Sequence, residues 1–126
     1  MAEYIPGVCN IGPAEIARRR HAGWIGVVTS AVFLLIFIFF HIPPLYRLII
    51  FFPASLAATG FLQAYFHFCA GFGSKGIYNV MKPVGVTETV QQEEFRAKDR
   101  KKAHQIMLFS VVIGLTVAIL IYFLPL

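Results

Sequence analysis

The chain reads as an all-α membrane protein with three transmembrane helices, its N-terminus and long charged loop cytoplasmic and its C-terminus outside. Three observations predict this. Hydrophobic residues make up 58% of the sequence and charged residues 13%, whereas soluble domains carry about half and about a quarter. Three stretches contain no Lys, Arg, Asp or Glu: 21–46, 48–74 and 103–126, of 26, 27 and 24 residues, each longer than the roughly 20 that a span needs. Basic residues are distributed unevenly across these spans. Arg18, Arg19 and Arg20 precede the first, and Lys75, Lys82, Arg96, Lys98, Arg100, Lys101 and Lys102 lie between the second and third. Only Arg47 occupies the opposite side, which is a positive-inside bias.

At 126 residues the sequence fits a single transmembrane domain. Helix 1 is expected over about 13–42. Pro13 takes a first helical position, Glu15 lies in the first turn, Trp24 is an interfacial aromatic, and Pro43-Pro44 ends the helix. The start of the chain lacks a basic n-region followed by an apolar run, so helix 1 is expected to direct insertion. Helix 2 is expected over about 45–72 with a kink at Pro53, whose missing N–H frees a carbonyl. A loop over 73–88 contains Gly73, Gly76, Pro83 and Gly85. Helix 3, over about 89–124, opens on Thr89-Val-Gln-Gln92, which has capping-box form. It carries a Glu94→Lys98 pair at i,i+4 and extends into the cytoplasm.

The net charge of +5 does not indicate nucleic acid, because the basic blocks abut apolar runs and lack interleaved aromatics. Anionic lipid headgroups are the expected partner. The spans hold no Asp, Glu, Lys or Arg, residues that proton pumps and ion-coupled transporters need, so transport by this chain alone is not expected. They do hold small residues in register. On helix 2, Pro53, Ala57, Gly60, Ala64, His67 and Gly71 recur at alternating steps of four and three, and helix 3 offers Ser110, Gly114 and Ala118. Such faces let helices approach closely, either within the three-helix unit or on another membrane protein.

Cys9, His21, His67, Cys69 and His104 are expected at one depth, with His41 on the opposite surface. Imidazole and thiolate suit zinc, copper or iron, but no pair has a chelating helical spacing. His67 could be the single axial ligand of a haem or chlorophyll packed among the many Phe; a histidine bonded to a neighbouring helix is the plainer reading. Two Cys are too few for a disulfide scaffold. Cys69 could react as a thiol activated by Lys75 and the basic loop, or serve simply as a small packing residue. Gly71-x-Gly73-x-x-Gly76 follows an apolar helix rather than a strand, which excludes a dinucleotide fingerprint.

The segment Asn10-Ile11-Gly12, followed by Arg19 and Gly23, together with Cys69 and Gly76-Ile77-Tyr78-Asn79, resembles the entry and exit of the YgaP-like transmembrane domain. That family is a two-helix hairpin found alone or attached to bacterial rhodaneses. The resemblance covers residues 10–79; Ala70 stands where the family usually has Pro, and the third helix is an addition. It implies a small protein of the bacterial inner membrane. Together these readings predict a non-enzymatic accessory or assembly subunit of a larger membrane complex. The alternative is a small membrane protein handling thiol or sulfur chemistry through Cys69, with Cys9 as a second thiol.

Overall fold

In a computed structural model the described residues are 4–80 and 86–125; Lys82, Pro83 and Gly85 of the expected loop, and the first three residues, lie outside them. Three helical stretches are long and apolar enough to cross a membrane: Pro13–Phe40, Pro44–Phe66 and Glu93–Tyr122. The protein is a multi-pass membrane protein by the length and composition of these helices.

Helix α1 (Pro13–Phe40) starts with proline in its first turn and ends when His41 turns into the left-handed region, at φ 50° and ψ 49°. The N–H groups of His41 and Ile42 both bond to the Phe37 carbonyl, the latter at 3.1 Å, so two donors close the last turn. The short helix α2 (Pro44–Arg47) and a 3-10 turn over Leu48–Ile50 lead into α3 (Phe51–Phe66). This tightened turn ends at Ile50, three residues before Pro53, which is buried in the first turn of α3.

The second helix ends at Phe66 rather than near 72. His67 adopts φ 56° and ψ 40°, its N–H and that of Phe68 bonding to the Gln63 carbonyl. The chain then restarts as α4 (Ala70–Lys75), with Cys69 at its N-cap. The expected loop is therefore partly ordered. Gly73 is helical, Gly76 closes α4 at φ 70°, and Ile77–Tyr78 (β1) pairs antiparallel with Glu88–Thr89 (β2). Thr89 is thus a strand residue and not a cap. Helix α5 begins at Glu93 behind Gln92, which makes no side-chain cap bond. In its first turns Glu93 pairs with Arg96 at 4.0 Å and Arg100 at 3.2 Å, in place of the expected Glu94→Lys98 pair.

Helix α3 is central, with α1 and α5 packed on it. Gly60 sits on the backbone of α1: a Cβ there would come within 2.7 Å of both Gly23 Cα and the Arg19 carbonyl oxygen. In the other seam, Gly114 of α5 lies against Ser55 and Phe51 of α3. Outward faces such as Val28, Phe39, Leu108 and Leu120 are exposed, as lipid-facing helices require.

Candidate functional site at the charged end

The break after Phe66 leaves backbone groups that the helix no longer satisfies, and buried peptide groups must find partners. The N-terminal segment supplies them. Asn10 is fully buried, and its side chain pairs with both backbone groups of Cys69: Oδ1 accepts the Cys69 N–H at 2.6 Å and Nδ2 donates to the Cys69 carbonyl at 3.1 Å. The Asn10 N–H donates to the His67 carbonyl at 3.1 Å. On its other edge the segment pairs with Asn79. The Asn10 carbonyl accepts the Asn79 N–H at 2.9 Å, and the Gly12 N–H donates to the Asn79 carbonyl at 2.8 Å. Gln63 Oε1 accepts the Ala70 N–H at 2.8 Å, closing the start of α4.

Below this closure lies the thiol. Cys69 is 5% exposed, and Arg19 Nη2 donates to its Sγ at 3.0 Å. Arg19 Nη1 pairs with Glu15 at 3.0 Å, and the guanidinium lies over the Phe72 ring at 5.5 Å from its centroid. Glu15 is buried at 1% exposure, one helical turn before Arg19. The cation that faces the sulfur is therefore Arg19; Lys75 is exposed in the last turn of α4. Cys9 is half-buried, its Sγ donating to the Ile11 carbonyl at 3.4 Å.

A second latch ties the same segment to α5. Asp99 is fully buried, accepting from Tyr4 Oη at 2.7 Å and from the Gly7 N–H at 2.8 Å. Tyr4 stacks on Tyr78 with ring centroids 4.4 Å apart. Burial, and after it the hydrogen bond to Asp99, holds the Tyr4 phenol above its usual range. The phenol of Tyr78 is also raised, first by its hydrogen bond to Glu88.

The residues singled out from sequence fall into distinct places. Asn10, Gly12, Arg19, Cys69 and Asn79 meet in the closure, and Gly23 meets Gly60. Gly60, Ala64, Ser110, Gly114 and Ala118 are buried, and Ala57 lies against Gly26. His67 and Gly71 leave the α3 stripe, His67 as an exposed left-handed cap and Gly71 on α4. His21 and His104 are exposed on α1 and α5. Among the described residues no three His, Cys, Asp or Glu side chains gather as metal ligands.

Sequence reasoning missed Gln63 and Asp99, and it read Asn10 only as part of a motif and Glu15 only as a first-turn acid. Asp99 did leave a signal: it is a lone acid inside the basic run 98–102. No family model matches the chain, and no curated protein or solved structure shows a significant match to it.

Proposed function

We propose that this protein is a non-enzymatic accessory or assembly subunit of a larger bacterial inner-membrane complex, with the charged end cytoplasmic. The observation that carries the reading is the start of α5. Residues 93–102 form a charged helical post beyond the apolar stretch, anchored on one side by Asp99 and exposing Ala97, Lys98, Arg100 and Lys101. The buried side chains Asn10, Gln63 and Asp99 bond to groups of this chain itself, which supports a structural role for them. A rigid charged post on a membrane-embedded unit is suited to docking, where complementary charge sets orientation and partner choice.

Purification in mild detergent tests this. The reading expects a stoichiometric membrane partner, lost on Ala97→Glu/Arg100→Glu at unchanged helicity; a lone chain or small homo-oligomer overturns it. Orientation has its own check. A cysteine at Leu45 should label with an impermeant maleimide from outside, and one at Val86 only after permeabilisation; the reverse pattern inverts the topology.

A second reading, thiol or sulfur handling by Cys69, is favoured by the Arg19 Nη2 donor at 3.0 Å from its sulfur. It expects Cys69 to alkylate faster than Cys9 at pH 7, with Arg19→Gln abolishing the difference. Slow alkylation of Cys69 at every pH leaves it a packing residue. The likeness to the YgaP-like hairpin belongs with both readings, since Asn10, Gly12, Arg19, Cys69 and Asn79, which help to carry it, meet in the closure.

A further inference from the structure

Between the three helices runs an apolar groove of about 410 Å³, floored by Ala54 and Ala57 of α3 and walled by Val27 of α1, Leu62 of α3, and Ile113 and Val117 of α5. One helical turn beyond the Leu62 end of the groove stands a cation. Lys102 Nζ lies 4.0 Å from the centroid of the Phe66 ring, and Phe66 is one turn above Leu62 on α3. Lys102 precedes Ile113 by eleven residues, about three turns, so both lie on one face of α5, roughly 16 Å apart along the axis.

We propose that this protein binds an anionic phospholipid of the leaflet at its charged end. Its phosphate lies against Lys102 and one acyl chain runs down the groove. Depth supports the match. Lys102 is the last charged residue before the charge-free stretch of α5, where headgroups lie. The apolar half-thickness of a bilayer is about 15 Å, and the α5 wall of the groove, Ile113 to Val117, lies roughly 16–22 Å along the axis from Lys102, so the groove reaches the midplane region where a single chain of that leaflet ends. Charge supports it too. Lys102 also lines a pocket of about 280 Å³ together with Gly7, Lys98, Lys101 and Gln105, so three ammonium groups gather there. The acid nearest in sequence, Asp99, is buried with both oxygens bonded to Tyr4 and Gly7. An apolar helix seated in the groove has no group to pair with Lys102, whereas a phosphodiester does.

The proposal does not depend on the chain having a protein partner. Native mass spectrometry of the full chain in mild detergent, titrated with phosphatidylglycerol or phosphatidylcholine of matched chains, tests it. Phosphatidylglycerol should bind preferentially, and Lys102→Gln should weaken it about fivefold, the loss expected for one basic contact at a membrane surface. Val27→Trp fills the groove from an exposed position. It should weaken the long-chain lipid while leaving a short-chain phosphatidylglycerol unaffected, and circular dichroism checks that the helices persist. Equal binding of the two lipids, displacement of phosphatidylglycerol by equimolar inorganic phosphate, or no effect of Val27→Trp overturns the proposal. So does a photo-crosslinker at Ile113 that captures protein rather than lipid in membranes.

Discussion

The two ends of the helical layer face the same problem and solve it differently. At both, a membrane helix stops in a histidine with left-handed backbone, His41 and His67, without the glycine that usually takes this conformation. At the charged end the exposed backbone groups are met by a distant segment: Asn10 on Cys69, Asn79 on Asn10 and Gly12, and Asp99 on Gly7. At the other end one side chain suffices. Arg47 is buried at 6% exposure; its Nε donates to the Ile42 carbonyl at 2.9 Å, and Nη1 donates to the carbonyls of Leu124 at 2.9 Å and Ile121 at 3.4 Å. A cation at the C-terminal carbonyls of α5 also opposes the negative end of its dipole. Compact closure by one arginine works where two helix ends converge. A helix that breaks and restarts needs a strand-like partner instead.

The largest expected effect is at Asn10. Asn10→Leu keeps apolar bulk but strips both backbone groups of Cys69 of their partner inside a buried site. Each unsatisfied group costs about 1–3 kcal/mol, so a loss of roughly 2–5 kcal/mol is expected. It should appear as a lowered midpoint of thermal unfolding in detergent and as faster alkylation of Cys69. Retained stability with a protected thiol would mean that the closure does not depend on this side chain.

Arg47→Met comes next, at about 1–3 kcal/mol. Water reaches the opposite end of the layer and can replace part of the lost donors. Hydrogen exchange should therefore rise in the last turn of α5, leaving the N-terminal segment protected. A global loss as large as that of Asn10→Leu would erase the distinction between the two ends.

Tyr4 gives the smallest effect. Its phenol is held above its usual range, so folding favours the protonated form. That contribution is complete below the unfolded value of about 10 and falls away as pH rises beyond it. Stability should decline between pH 10 and higher values in the wild type. Tyr4→Phe should lose most of that slope, Tyr78 leaving a smaller one, and be weaker by about 1 kcal/mol at neutral pH, the partly exposed hydrogen bond to Asp99 being discounted for solvent. A Tyr4→Phe variant with the wild-type slope would move the titration elsewhere.

The spans were legible in the sequence because apolar length is a local property: 21–46, 48–74 and 103–126 announce themselves without any knowledge of packing. The helix ends were not. Nothing near Phe66 breaks a helix by propensity, and the groups that stabilise the break come from Asn10, 59 residues away from Cys69. The capping-box pattern at Thr89 lost to a strand pairing with Ile77, a competition between local and tertiary bonds. The structural bonds of two charges were hidden for the same reason. Arg47 and Arg19 counted as topology signals, yet both are buried or nearly so and bonded to specific atoms.

The position of residues 9–12 between His67 and Asn79 sets a timetable for biogenesis. Asn10 must wait for Asn79, 69 residues later in the chain, on the order of 3–14 s at 5–20 residues per second. Helix α1 therefore enters the bilayer with its leading segment unpaired, and the closure can form only once Asn79 has left the ribosome. Asp99 lies further along the chain, so its latch on Tyr4 and Gly7 needs a still longer chain.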